Sequence, residues 1–312
     1  RFQNTGNAPA QNVFIIDTLS ALHALSSLEI LGASHPFTAQ FGLDRPFHEQ
    51  YLLWMHNLLH LNLGYSFAYQ APVLEIVWPR VLNSMVLVVP STVLLFLIAV
   101  PVGVYGALRQ YSLGDRVVSF LAYLGLAIPN FFLALILMYL VLQVYFRTGV
   151  MVFPVSGMTS SGFEQFSFWQ KVVDVAWHAV LPIVVLTTSD IAGFSRIMRG
   201  QMLEALSQDY VRTARAKGLP ERVVVYKHAL RNAIIPIVAN IGGILPTLIS
   251  GAGLVEVVTA WPGITPLLLD AISQQDLYVV AGFLTMGLVL LMIGNLLSDL
   301  LLAWVDPRIR YE

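Results

Sequence analysis

The stretch YVVAGFLTMGLVLLMIGNLLSDLLLAWV (Tyr278–Val305) contains a single charged side chain, Asp299. A helix that crosses a bilayer needs roughly 20 mostly apolar residues. The same character recurs in Val81–Leu108, Val117–Phe146, Val175–Ile197 and Ala233–Val255. Transmembrane β-strands alternate apolar and polar residues over about 10 positions, whereas these runs are continuous. The sequence therefore predicts an all-α integral membrane protein with five transmembrane helices.

The composition supports this prediction. Of the 312 residues, 57% are hydrophobic and only 11% are charged, against about 25% charged in soluble domains. This excludes a soluble globular enzyme and a disordered chain. Cysteine is absent, which excludes disulfide scaffolds, cysteine nucleophiles and thiolate metal sites. The net charge of −1 gives no overall attraction to nucleic acid, and no nucleic-acid partner is expected.

The distribution of positive charge orients the predicted helices. Twelve of the 17 lysines and arginines fall in residues 109–116, 196–231 and 308–310, which lie on one side of the predicted topology. Lysine and arginine concentrate in cytoplasmic loops. We therefore expect a cytoplasmic C-terminus, an external region over residues 1–80 and a transmembrane domain over residues 81–312. Because no signal peptide precedes the external region, we expect a further helix upstream in the parent protein, with cleavage after insertion as the alternative.

The sequence of the largest loop on the predicted cytoplasmic side, residues 199–232, indicates a helical hairpin. A helix-forming segment from Gln201 to Lys217 is followed by Gly218, a residue that readily ends a helix in the left-handed conformation. Pro220 and Glu221 then suit the first turn of a second helix. A cationic hairpin at the membrane surface has two interpretations, contact with anionic lipid or docking of a cytoplasmic partner.

Several motifs resemble one family of membrane proteins. "DYVRTARAKGLPERVVVYKHALRNAIIP" (Asp209–Pro236) is similar to the coupling loop, or EAA loop, of ABC-transporter permeases. "VFPVSG" (Val152–Gly157), "VVTAWPGITPLLLDAISQQD" (Val257–Asp276) and "NLLSDLLLAWVDPRIRYE" (Asn295–Glu312) resemble the B-type permease subunit of dipeptide, oligopeptide and nickel importers. The resemblance begins near Phe41. It implies six helices in the parent protein, of which the first is missing here.

The resemblance also implies the partners. They would be a homologous second permease, two ATPase subunits, an external substrate-binding protein and the bilayer of a bacterial or archaeal cytoplasmic membrane. None of the three lysines is followed by Ser or Thr, so none belongs to a P-loop. We expect a transport subunit that is not itself an enzyme, without catalytic residues, metal or cofactor. ATP and Mg would be used by the ATPase subunits. The residues expected at the ATPase contact are Arg212, Ala214, Arg215, Ala216, Gly218, Glu221 and Arg222.

Polar residues inside membrane helices are costly and usually face an interior or a water-filled path. The candidates for a translocation pathway are Asn83, Asn130, Asp190, Asn240 and Asn295. Asp190 has no cation within four residues, which favours a position in the pathway. A structural hydrogen bond, or an ion pair with Arg196, is the alternative.

The external loop after the fourth predicted helix is the expected contact with the binding protein, through Trp261, Asp270 and Asp276. Trp261 alternatively anchors the loop in the membrane interface. His56 and His60 share the i, i+4 spacing of some zinc sites, but an amphipathic external helix explains them more simply.

The sequence thus predicts a permease subunit of an ATP-driven importer, with peptides as the leading cargo. Nickel complexes or other small solutes are the alternative within the family. An ion-coupled secondary transporter is a rival from another class, since it would use buried ionisable residues and often internal repeats. Asp190 is the main support for this rival hypothesis, and the sequence shows no internal repeat.

Overall fold

The computed structural model describes residues 46–66, 68–239 and 252–305. Within them the chain is mostly helical with connecting loops, and the strands are limited to a two-residue antiparallel pairing of β1 (Tyr65–Ser66) with β2 (Ala71–Pro72). The predicted all-α membrane architecture is confirmed. The helices are α1 Phe47–Leu59, α2 Val73–Leu108, α3 Leu113–Ala127, α4 Asn130–Thr148, α5 Phe168–Ser207, α6 Asp209–Ala216, α7 Glu221–Val223, α8 Leu230–Ala233, α9 Ile235–Ala239, α10 Gly253–Val258, α11 Ile264–Ser273 and α12 Leu277–Val305.

Four of the described helices contain segments long and apolar enough to cross a bilayer. These segments are Val73–Leu108, Asn130–Thr148, Phe168–Thr188 and Leu277–Ala303. The predicted helix Ala233–Val255 runs through residues 240–251, so most of it, together with the pathway candidate Asn240, lies outside the described residues. The same holds for most of the predicted external region and for the C-terminal tail.

The prediction of one continuous helix over Val117–Phe146 is wrong. The chain is extended at Ile128 and Pro129, which separate α3 from α4. Proline disfavours helical backbone in the residue before it, and its own ring cannot continue the helical hydrogen bonds. By contrast, α2 contains Pro79, Pro90 and Pro101 without a break. Membrane helices tolerate proline when neighbouring groups satisfy the freed backbone.

The ends of the helices follow from local sequence. Ser112 caps α3 by accepting a hydrogen bond from the Asp115 N–H at 3.2 Å. Ser167 and Gln170 form a capping box at the start of α5. Gly149 ends α4 with φ +71°, a conformation that glycine adopts without strain.

Helix α5 has 40 residues and is therefore about 60 Å long at 1.5 Å per residue. Since the hydrocarbon core of a bilayer is only about 30 Å thick, α5 is far longer than the predicted span Val175–Ile197. Its last turns, which include Met198 and Met202, carry the segment that follows.

The described residues fall into two compact units. One comprises residues 46–78 and 268–283, and the other comprises residues 79–267 and 284–305. In the larger unit, one apolar cluster includes Leu87, Val185, Leu186, Val255 and Trp261. A second cluster in the same unit lies around the last turns of α5.

Candidate functional site

The segment predicted to contact an ATPase subunit, which we call the coupling hairpin (residues 208–233), has the predicted arrangement of two helical arms around Gly218. Helix α6 forms the first arm, and the second arm runs helically from Glu221 to Ala233. Gly218 has φ +75° and its N–H donates to the Arg215 carbonyl at 2.9 Å. The expected left-handed glycine at the end of the first arm is therefore confirmed.

The two arms depart from simple helices. The first was expected to start at Gln201, but α5 continues to Ser207 and the backbone is extended at Gln208. The Ser207 hydroxyl donates to the Glu204 carbonyl at 2.7 Å. Such local side-chain bonds compete with the helix. In the second arm, Val224–Ala229 forms a π-helical turn, a feature that frequently marks functional sites.

The inner face of the coupling hairpin is buried against two long helices. Its residues Val211, Ala214, Val224, Val225 and Ala229 are at most 5% exposed. They share one apolar cluster with α2 and α5, whose contributions are Val104, Ala107, Met198, Met202 and Ala205. Close packing of this kind transmits displacement because protein interiors are barely compressible. The hairpin and the ends of α2 and α5 therefore form one packed body.

The outer face of the coupling hairpin carries most of the residues predicted to contact an ATPase subunit. The exposed ones are Arg212, Arg215, Ala216, Gly218, Glu221 and Arg222. Ala214 is 5% exposed and packs inside the cluster. It has little surface for a partner, because it lies on the apolar side of α6 beside Val211.

Arg215 is occupied within the hairpin. Its Nη2 and Nε donate to the two carboxylate oxygens of Glu221 at 2.7 and 3.2 Å, which ties one arm to the other across Gly218. The hydrogen bond from Arg215 lowers the pKa of Glu221. Arg212 pairs more loosely with Asp209 at 3.4 Å. Among the described residues, Arg222 forms no ion pair, so it is the hairpin arginine with most freedom to meet a carboxylate of another protein.

The pathway candidates lie in different environments. Asn130 is half-buried at the start of α4, whereas Asp190 and Asn295 are exposed on α5 and α12. No ion pair between Asp190 and Arg196 occurs in the described part of the chain, so that alternative gains no support. Asn83 is engaged within the protein, since its Nδ2 donates to the Pro262 carbonyl at 2.9 Å.

A buried glutamate, which the sequence analysis did not single out, organises the loop predicted to be external. Glu256 is 0% exposed. Its Oε1 accepts from the Ser84 hydroxyl at 2.6 Å and its Oε2 from the Thr265 N–H at 3.1 Å. The Ser84 Oγ in turn accepts from the Ile264 N–H at 2.9 Å. A Cβ on Gly263 would overlap the Glu256 carboxylate, which explains the glycine.

Trp261 belongs to the same arrangement. Its ring is 0% exposed and its Nε1 donates to the Asn83 carbonyl at 2.9 Å. The predictions that Trp261 contacts a binding protein or anchors the loop in the membrane interface therefore need correction. Burial against α2 leaves no free ring surface for either role. We call Glu256, Ser84, Asn83 and Trp261 the carboxylate lock. The signal in the sequence was a glutamate directly after an apolar run with no cation beside it.

Two aspartates of the smaller unit, Asp270 and Asp276, were predicted to contact the binding protein, and they differ in exposure. Asp270 is exposed. Asp276 is 5% exposed, and its Oδ2 accepts from the Ser66 hydroxyl at 2.6 Å and the Ala68 N–H at 3.2 Å. Its Oδ1 accepts from the Val279 N–H, which caps α12. The prediction for Asp276 is corrected, because its oxygens are used inside the chain.

His56 and His60 face each other on α1 with ring centroids 4.4 Å apart. One ring nitrogen of His60 bonds the His56 carbonyl at 2.8 Å. In the described part of the chain no group of three or more metal-binding side chains is present. The pair alone offers too few ligands for a zinc site.

Comparison with known proteins identifies the family. The family of binding-protein-dependent transport system inner membrane components matches residues 99–311. A domain of unknown function (DUF7619) matches residues 1–62.

Curated relatives agree with the first match. An oligopeptide transport system permease protein of Bacillus subtilis, AppB, is 40% identical over 279 residues, which cover 88% of this chain and 84% of that protein. The dipeptide transport system permease protein DppB of Escherichia coli K12 is 36% identical over 285 residues, with coverage of 88% and 84%. The resemblance stated from the sequence is thereby confirmed: the chain belongs to the family of binding-protein-dependent transport system inner membrane components, in the branch of the B-type permease subunits.

Proposed function

We propose that this chain is the membrane-spanning permease subunit of an ATP-driven, binding-protein-dependent importer of dipeptides or oligopeptides. The support is the family match together with relatives named as oligopeptide and dipeptide transport system permease proteins. The chain lies in a bacterial or archaeal cytoplasmic membrane with its C-terminus inside, as the positive charge of residues 196–231 favours.

The observation that carries this function is the packing of the coupling hairpin on α2 and α5. An ATPase subunit that moves the exposed outer face moves the ends of two long helices with it. The helices would then have two packed arrangements, one open to each side of the membrane, and ATP would shift the equilibrium between them. The buried inner face makes the hairpin a lever, and the exposed Arg215–Glu221 bridge adds a weak link between its two arms.

The remaining parts come from other proteins. ATP and Mg are bound by two separate ATPase subunits, and a second permease completes the pathway. An external binding protein delivers the peptide, and the exposed Asp270 remains its proposed contact on this chain. Arg222, exposed and in no described ion pair, is the proposed partner for a carboxylate of the ATPase subunit.

The exposed Asp190 is the proposed polar point of the translocation pathway on this chain, with Asn130 and Asn295. A charge in an apolar helix is retained where it faces water, cargo or a partner. Replacing Asp190 by Asn keeps its size and removes its charge. We expect reduced peptide uptake by a complex that still assembles, and unchanged uptake would remove Asp190 from the pathway.

The coupling role is tested by reversing one exposed charge in the hairpin. Arg222→Glu should reduce both the ATPase subunits that co-purify with the chain and the rate of ATP-dependent peptide uptake. The matched control is Arg147→Glu, since Arg147 is also exposed and in no described ion pair but lies at the end of α4. Peptide uptake by a complex that contains no ATPase subunit would contradict the proposal.

A further inference from the structure

A small groove lies between α3 and α5 in the larger unit, with the end of α2 as its floor. It encloses about 50 Å³, and the polar side chains on its walls are Asp115, Ser119 and Tyr123 from α3 and Ser195, Arg196 and Arg199 from α5. It is adjacent to the segments Arg109–Arg116 and Arg196–Arg231, both predicted to be cytoplasmic. The groove is therefore expected at the level of the inner lipid headgroups.

The charges in the groove do not cancel. Arg199 Nη2 donates to Asp115 Oδ2 at 3.0 Å, so these two residues neutralise each other. Asp115 Oδ2 also accepts from the Tyr111 N–H at 2.9 Å, which fixes the pair in place. Arg196 is exposed and forms no ion pair among the described residues. One positive charge is thus left over for a ligand.

The dimensions suit a phosphate group. One water molecule needs roughly 10–15 Å³ of such space, so the 50 Å³ of the groove accommodates a few oxygen-sized groups, as a phosphodiester presents. Arginine is the side chain best matched to phosphate, through planar paired hydrogen bonds. The half-buried Ser119 adds a hydroxyl on the opposite wall.

The surface beside the groove distinguishes a lipid from free phosphate. Leu126 and the ring of Tyr123 on α3 line the groove itself and are 46% and 58% exposed. They form an apolar strip on the groove side of α3, two to three helical turns from Asp115. A phospholipid has both chemistries, a charged headgroup for the arginines and acyl chains for the strip.

We propose that this groove binds the phosphate headgroup of an anionic phospholipid from the inner leaflet. Arg196 is the principal ligand, Arg199 is held in position by Asp115, and the acyl chains lie on the apolar strip of α3. The coupling hairpin follows directly on α5. A lipid bound here therefore makes the position of the hairpin depend on the lipid composition of the membrane.

The test compares lipid retention by the assembled complex, measured by native mass spectrometry with added phosphatidylglycerol. Arg196→Gln should weaken binding of the most tightly held lipid about five-fold, the contribution of one arginine near an anionic surface. Arg116→Gln is the matched control, because Arg116 is exposed on α3 and does not line the groove. It removes the same charge and should leave this binding unchanged.

Two further arms decide the source of the phosphate. Phosphatidylcholine should be retained less well than phosphatidylglycerol, and excess inorganic phosphate should not displace the lipid. Equal loss in both variants, or displacement by inorganic phosphate, overturns the proposal. If Arg196→Gln fails to assemble, Ser119→Val narrows the groove without changing its charge. That variant must also retain less lipid, and unchanged retention overturns the proposal.

Discussion

The carboxylate lock and the coupling hairpin each centre on a glutamate near the start of a short helix, and the two glutamates have opposite surroundings. Glu256 has no exposed surface and is held by neutral donors, a hydroxyl and a backbone N–H. The Glu221 side chain is 59% exposed and is held by one arginine. A buried carboxylate whose oxygens are satisfied inside the chain supports the fold, whereas an exposed pair leaves the surface around it available to a partner.

The largest effect is expected at the lock. Glu256→Ala removes the acceptors of the Ser84 hydroxyl and the Thr265 N–H and leaves a void beside Gly263. Each buried donor left unpaired costs about 1–3 kcal/mol, so the free energy of unfolding should fall by about 3 kcal/mol or more. The measurement is thermal unfolding of the solubilised complex.

The matched variant for this experiment is Glu221→Ala, which removes the exposed glutamate. It should leave the unfolding temperature nearly unchanged, since surface substitutions usually stay within about 0.5 kcal/mol. Equal destabilisation by the two variants would mean that Glu256 and Glu221 contribute equally to stability, which would contradict the distinction between the carboxylate lock and the coupling hairpin.

The next effect concerns the two aspartates. Asp276→Ala removes the acceptor of Ser66, Ala68 and Val279 and takes away the cap of α12. The free energy of unfolding should fall by about 2–3 kcal/mol, from a cap worth about 1 kcal/mol and the two hydrogen bonds from Ser66 and Ala68. Asp270→Ala should instead leave unfolding unchanged and weaken binding of the external protein, as measured by titration of the complex. An unchanged unfolding temperature for Asp276→Ala would restore Asp276 as a surface contact.

A smaller effect is expected at the turn of the hairpin. Gly218→Ala places an L-residue at φ +75° with open space around its Cβ, which costs about 1 kcal/mol. Because this strain lies in the coupling hairpin, which is proposed to link the ATPase subunits to the membrane helices, peptide-stimulated ATP hydrolysis should decrease.

Gly149→Ala is the control, because Gly149 has φ +71° and equally open surroundings at the end of α4. It should be strained to the same degree without any change in ATP hydrolysis. Similar losses in both variants would point to general destabilisation instead of coupling.

The smallest effect is expected at the bridge between the arms. Glu221→Gln breaks an exposed ion pair, typically worth about 0.2–1 kcal/mol, and should raise hydrogen exchange in the hairpin only slightly. The pKa of Glu221 is lowered below its ordinary value of 4.5. Its stabilisation is therefore fully present above that value and is lost as the pH falls through the lowered pKa. Protection of the hairpin amides, corrected for the intrinsic pH dependence of exchange, that already changes with pH near neutrality would contradict this assignment.

The architecture could be predicted from the sequence because long apolar runs leave few alternatives in a bilayer. The glycine turn at Gly218 was equally legible, since few residues tolerate that backbone conformation. The break at Pro129 was missed because proline interrupts α3–α4 but not α2, and the tertiary surroundings decide between the two outcomes. The burial of Trp261 and Asp276 was missed because a polar or aromatic residue in a loop has the same local pattern whether it faces outward or inward.

The π-helical turn at Val224–Ala229 gives the two arms of the hairpin unequal tolerance to changes in length. Such a turn holds one residue more than an α-helical turn, so loss of one residue there is absorbed by a change of helix type. In α6 the same deletion would rotate the residues beyond it by about 100° and swing Arg215 away from Glu221. Natural insertions and deletions should therefore accumulate in the second arm and be purged from the first.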